Sequence, residues 1–385
     1  MKQILGIGLV TALGFLASQK WFGRVAGWTR SRFVYLTGEE FLLLGVCLGP
    51  LGFGLLDREG LRGLEPFIGF GMAYVGFVYG MQFEPGIWGK LAGREIGASA
   101  TSSLIVAAVV AAAWHGVSPI PDPAVSLAVG AAAGGTSTAF LHLVDRHTRM
   151  GRVPLFRFLR ISSVLDDLWG IALYAGALIL LGPPGWKGIL GVLAVVAAVC
   201  ATLRLVLPST GDPAETMAVL VGAVLFVGGT AALVGFSPLA AGAATGLILP
   251  WACRDCRQYL NRLVVVEQPA YLLMLVLAGA WWAPAPVTAK ATLALVGAYA
   301  ISRGIGKAVG GVAAVAFLEG RSRWTRLGLG ALAQSEVAVV VAVELLVIHG
   351  TPASRLGATA LLAGVVVNDL LAAGFYNSAY GRRGP

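Results

Sequence analysis

Charge is scarce in this chain: only 12% of its 385 residues are Asp, Glu, Lys or Arg. A soluble domain carries about 25%, so an ordinary cytosolic enzyme is excluded at the outset. Histidine and cysteine are equally thin, with four of each. His115, His142, His147 and His349 are scattered, and only His142 falls near the polar segments described below. Cys253 and Cys256 form a lone CxxC with no further soft or imidazole ligand nearby, which argues against zinc. Neither a cofactor nor a catalytic centre of the soluble kind is expected. Strict apolar–polar alternation is also missing, which excludes a transmembrane β-barrel.

What the chain has instead is length in apolar runs. Hydrophobic residues make up 57% of it and the mean hydropathy is +0.80. The runs predict membrane-crossing helices near 3–19, 36–56, 64–83, 96–116, 124–144, 158–181, 186–207, 216–234, 237–252, 264–283, 288–318, 326–347 and 354–376. These are called spans 1 to 13. About thirteen spans of about 20 residues use roughly 260 residues. Roughly 125 remain for loops, too few for a separate soluble domain. The sequence therefore predicts one all-α polytopic membrane domain over 1–385. Only Lys2 precedes the first run, and no small-residue site closes it, so it does not read as a cleavable signal. Twenty of the 28 Lys and Arg fall in loops after odd-numbered spans or at the C-terminus, and six on the other side. Positive loops stay inside, so the N-terminus is expected outside and the C-terminus in the cytoplasm. The net charge of +9 then reads as orientation and a fit to anionic lipid, not as a nucleic-acid footprint.

Seven ionisable residues fall inside spans: Asp166, Asp167, Arg303, Lys307, Glu336, Glu344 and Asp369. Each costs about 2.5–3.5 kcal/mol at mid-membrane, so each marks a candidate functional position. Asp166 and Asp167 lie near the middle of span 6. Successive helical residues point about 100° apart, so the two carboxylates cannot share a proton. One can pair with Lys307, at similar depth in span 11, and the other is left to face a cavity.

Two spans look interrupted. Span 5 contains Gly134-Gly135-Thr136-Ser137-Thr138, and span 12 contains Gly328, Gly330 and then Gln334-Ser335-Glu336. Such residues are tolerated at mid-span where freed backbone groups line a polar cavity; close packing through small residues is the plainer reading. Span 6 reads Val164-Leu165-Asp166-Asp167-Leu168 and span 13 reads Val366-Val367-Asn368-Asp369-Leu370. The two lie seven spans apart, an odd number, so the copies run in opposite directions. Interrupted helices in matching places of inverted repeats are the arrangement of secondary transporters. Asp369 then reads either as a second titratable acid or as a snorkelling residue near the helix end.

These residues resemble the monovalent cation/proton antiporter superfamily, and especially its two-aspartate branch of bacterial sodium/proton antiporters. The resemblance rests on Gly45-x-x-x-Gly49-Pro50, Thr136-Ser137, Ser162-Ser163-Val164-Leu165-Asp166-Asp167, Pro238-Leu239-x-x-Gly242 with Gly246, Gly306-Lys307 and Glu336, and runs from about residue 36 to 376. It implies two crossed discontinuous helices (spans 5 and 12), a mobile core at about 96–181 and 288–376, and a dimerisation scaffold at about 3–83 and 186–283. It implies a homodimer in the bacterial inner membrane. Carried over by position, Asp167 is the cation- and proton-binding carboxylate and Asp166 the partner of Lys307. Thr136 and Ser137 offer oxygens at the break, and Glu336, Asp369 and Arg303 are secondary candidates. Two positions depart from the pattern. Gln334-Ser335-Glu336 stands where Arg-Gly-Glu is common, and the acid near the start of span 2 is out of register at Glu39 or Glu40.

The function implied is exchange of protons for a monovalent cation, sodium first and lithium or potassium next. An organic-anion symporter or a non-transporting sensor of the same architecture is the alternative. An intramembrane aspartyl protease would need a Gly-x-Gly-Asp loop, which is missing. The orientation is open to direct test. In cells, Lys187→Cys is expected to react with a membrane-impermeant thiol reagent, and Arg152→Cys only after the membrane is opened; the reverse pattern would invert the topology.

Overall fold

The computed structural model describes residues 39–83, 85–89, 91–148, 154–181, 185–210, 212–252, 256–282, 287–318 and 328–380. The expected span 3–19 lies outside them, as do Cys253 and the loop arginines 321–326. Among the described residues the secondary structure is helical throughout, with no strand. In chain order the helices are α1 (Glu39–Leu48), α2 (Arg58–Gly63), α3 (Glu65–Met81), α4 (Pro85–Trp88), α5 (Gly93–Val117), α6 (Pro123–Ala133), α7 (Thr138–Thr148), α8 (Pro154–Leu181), α9 (Gly185–Val206), α10 (Pro213–Leu233), α11 (Pro238–Ala252), α12 (Cys256–Trp281), α13 (Ala289–Val315), α14 (Glu336–Glu344) and α15 (Pro352–Tyr380). Among the described residues five helices are long and apolar enough to cross a membrane unaided: α5, α9, and most of α8, α10 and α15. The chain is a multi-pass membrane protein.

Local chemistry explains many of the boundaries. Asp122 and Asp212 each precede a proline, and their carboxylates accept from the first free amides of α6 and α10. Span 2 was expected to stay helical to residue 56, but α1 stops at Leu48. Pro50 has no N–H to continue the ladder, and the chain turns back through Gly54, at φ +63°. Span 11 forms one helix, α13. Spans 5 and 12 are both interrupted. The first is α6, a non-helical stretch at 135–137, and α7. The second is a 3₁₀ turn (Gly328–Ala331), a non-helical stretch at 332–335, α14, and a π-helical turn (Leu345–His349).

Helices sort by what they touch. α3 packs on α10, α11 and α12; α1 lies on α12; α9 covers α10 and α11. α5 packs on α6, α8 and α13, and α15 lies against α6, α13 and α14. The glycine patterns fix the closest approaches. A Cβ at Gly76 or Gly80 would strike carbonyls of α11, and one at Gly242 or Gly246 would strike carbonyls of α3. Glycines four apart line one helix face and let two backbones meet. Gly306 and Gly310 do the same for α13 on α5, where added Cβ atoms would sit 3.1 Å from Val106 Cα and 2.9 Å from Ser102 O.

This seam predicts a contrast between two otherwise equal substitutions. Gly246→Ala drives its methyl into the Phe77 carbonyl and should cost about 1–3 kcal/mol. Gly222→Ala meets nothing within 4 Å and should leave stability unchanged. Thermal unfolding of the two purified variants in detergent is the measurement.

Candidate functional site

The site is built where the two interrupted spans meet. Each break restarts through a serine cap: Ser137 Oγ accepts from Phe140 N (3.2 Å) and Ser335 Oγ from Val337 N (3.1 Å). The non-helical stretches bond to one another, Ser137 N donating to Ala333 O at 3.0 Å. That leaves carbonyls of Ala133, Gly134, Gly135 and Leu332 without helical donors. Two cations on one face of α13, four residues apart, take them. Arg303, fully buried, donates from Nε to Ala133 O (2.9 Å), from Nη2 to Gly135 O (2.8 Å) and from Nη1 to Leu332 O (2.5 Å). Lys307 Nζ donates to Gly134 O (2.5 Å) and to Thr136 Oγ1 (2.8 Å).

Lys307 also lies 3.4 Å from Asp166 Oδ2. Asp166 is the most heavily hydrogen-bonded acid of the group. Its Oδ1 accepts from Ser99 (2.8 Å), Ser103 (3.1 Å) and Ser162 (3.1 Å), and its Oδ2 from Thr136 (3.0 Å). Five donors, one of them an ammonium, converge on its two oxygens. Asp167, the next residue, is placed quite differently. It is 2% exposed and its Oδ1 has no hydrogen-bond partner. That oxygen points at Gly135, where a Cβ would collide with it and come within 2.8 Å of Ser335 Cβ. An unpartnered buried carboxylate oxygen is rare and costly. Here it sits at the break of span 5, between Gly135 and Ser335.

The remaining candidates are close by. Glu336, the first residue of α14, is half-buried and acts electrostatically on Asp167. Ser137 lies at the break, but its hydroxyl is engaged as a helix cap. Asp369 is buried at 4% exposure, not snorkelling; its Oδ1 accepts from Gln334 N at 2.9 Å. Gln334 in turn donates to Tyr299 (2.7 Å) and accepts from Asn368 (2.9 Å). The second copy of the repeat thus ties its own helix to its own break, as Asp166 does through Thr136. Sequence reading missed Ser99, Ser103 and Ser162 as Asp166 donors, although Ser99 and Ser103 share one face of α5 at the four-residue spacing.

A cleft of about 460 Å³ opens between α7 and α8. Phe83, Thr138, His142, Arg157, Arg160 and Ser163 line it, and Ser163 is one helical turn from Asp167. Its rim is basic, with Arg160 paired to Asp145 at 3.6 Å. Tyr79 of α3 donates its hydroxyl to the carbonyl of Val164, which also lines the cleft.

An inverted repeat with two crossed, interrupted helices, and charged residues at the crossing, defines the secondary-transporter class of fold. Among solved structures the chain resembles the sodium/proton antiporter MjNhaP1 of Methanocaldococcus jannaschii. The similarity to its structure at pH 8 has a TM-score of 0.69 and 16% identity, covering 97% of this chain and 98% of that one. To the electron-microscopy structure of the same protein the TM-score is 0.65, again at 16% identity and over 100% of both chains. By sequence, neither a protein-family description nor a curated protein matches. The chain has the fold of the sodium/proton antiporters.

Arg303 carries the crossing, so its removal should be costly. Arg303→Met leaves three buried carbonyls without a donor, at about 1–3 kcal/mol each. It is expected to lower the melting temperature in detergent much further than Ser162→Ala, which removes one of five donors to Asp166.

Proposed function

We propose that this protein is a secondary active transporter that exchanges protons for a monovalent cation, sodium foremost, across a bacterial inner membrane. The observation that carries the reading is Asp167: a buried carboxylate with one oxygen unpartnered, over a helix break. The fold shared with a sodium/proton antiporter supports it.

In this reading Asp167 binds either the cation or a proton. A metal cation at Asp167 would take its further oxygen ligands from Thr136 and Ser137 at the break. Competition for one carboxylate suffices for exchange, because an empty charged site is expensive to move through lipid while an occupied one is close to neutral. The helices α5–α8 and α13–α15 form the moving core. Helices α1–α3 and α9–α12 form the scaffold, through which the protein dimerises. The core exposes Asp167 alternately to the two sides, the N-terminus lying outside and the C-terminus in the cytoplasm. Asp166 stays paired with Lys307 until the lysine is released; a proton then gained by Asp166 makes the exchange electrogenic. Glu336 adds negative potential beside Asp167, and Asp369 is a second titratable acid of the core.

The test is cation-driven proton movement in proteoliposomes, with sodium and potassium supplied separately and the membrane potential clamped or free. Asp167→Asn is expected to reduce the flux to the level of empty liposomes. Undiminished exchange in that variant would remove Asp167 from the mechanism.

A further inference from the structure

One membrane-buried acid takes no part in the site above. Glu344 closes α14, eight residues beyond Glu336 and therefore about 12 Å farther along the helix. It is fully buried. Ser237, the residue before α11, donates its hydroxyl to Glu344 Oε2 at 3.0 Å while accepting from Ala240 N at 3.0 Å. Tyr174 of α8, also fully buried, turns its hydroxyl towards the same carboxyl. Glu344 Oε1 and the Tyr174 hydroxyl have no hydrogen-bond partner.

The groups that act on Glu344 are Tyr174, Ser237 and the backbone of Leu239. Helices α6, α12 and α15 also pack against α14, and among the described residues none of them brings a cation to it. His349, five residues on, interacts with Asp122 instead. This is the opposite of Asp166, which has an ammonium and four hydroxyls. An ionised Glu344 would leave a net charge met by two hydroxyls and one backbone N–H but no cation, in a region shielded from water. One added proton removes the buried net charge and makes Oε1–H a donor facing the Tyr174 oxygen, while Ser237 donates to Oε2.

We infer that Glu344, Tyr174 and Ser237 form a second proton-binding site, separate from Asp167. The helix widens into a π-turn at Leu345–His349 immediately after it and ends at Gly350, at φ +56°. Such turns recur at functional positions. Because the cluster joins α14 to α8 and α11, losing its proton strains the contact until α14 parts from α11 and water enters. The site stands on its own geometry. Its consequence, a proton-controlled latch between core and scaffold, rests on the exchange reading.

Infrared difference spectra of the full chain in liposomes, recorded across pH, follow the carbonyl bands of protonated carboxyls. Glu344→Gln is expected to erase one titrating band and leave intact the band that Asp167→Asn erases. Tyr174→Phe is expected to move the midpoint of the Glu344 band alone. If the Glu344→Gln spectra match those of the parent, Glu344 exchanges no proton and the inference falls. The same holds if Tyr174→Phe moves no band. In the flux assay Glu344→Gln should flatten the pH profile of exchange several-fold; an unchanged profile removes the latch. Loss of the Asp167 assignment would leave the infrared result standing, so the two failures are distinguishable.

Discussion

A backbone carbonyl freed by a broken helix inside a membrane has no water to turn to, and protein must supply the donor. In this chain one guanidinium does most of that. Arg303 spans both breaks and binds a carbonyl at the end of α6, another within the non-helical stretch, and a third across the crossing in span 12. Its five donors in a fixed plane suit three acceptors arriving from different directions; a lysine would not reach them together. The crossing holds its shape because this cation sits at the point where both breaks leave acceptors exposed.

With the crossing held, the two neighbouring aspartates take opposite roles. The 100° turn between them sends Asp166 into a cluster of hydroxyls with Lys307, and Asp167 against the bare backbone of Gly135. Rigidity on one side and an unpartnered oxygen on the other are what an exchange site requires. A binding carboxylate that had its own permanent donors would gain little from a cation. One without a nearby fixed charge pair would have no firm floor. Gly135 matters for the same reason, since any side chain there would fill the space over Asp167.

The architecture was legible in the sequence to the extent that membrane physics is one-dimensional. Runs of apolar residues, the Gly-Gly-Thr-Ser interruption and the echo of Asp166-Asp167 in Asn368-Asp369 point to inverted repeats with paired breaks, and the structure has them. Span ends were less legible: the stop at Leu48 depends on Pro50 together with the fold-back at Gly54, which hydropathy does not register. Lys307 could be matched with an aspartate because both are rare and lie at similar depth. The serines around Asp166 could not be singled out, because Ser is common and its hydroxyl is as easily bonded to its own helix. Arg303 was visible as a charge but not as a donor to carbonyls, since backbone acceptors leave no trace in sequence. Glu344 was visible as an intramembrane acid, while its partners came from helices far away in the chain.

The unusual Gln334 follows from the same economy of charge. The resemblance favours an arginine at that position of span 12, but Arg303 on α13 already supplies a guanidinium to the Leu332 carbonyl two residues earlier. A second cation beside it would meet like charge at low dielectric. A neutral amide can instead donate to Tyr299 and accept from Asn368. The repeat has thus diverged in polarity while keeping its geometry. In one copy the helix is tied to its break by an ion pair with hydroxyl support. In the other it is tied by amides and a backbone N–H. In the charged copy the unpartnered oxygen of Asp167 lies directly against the Gly135 backbone at the break, and the proposed exchange centres there.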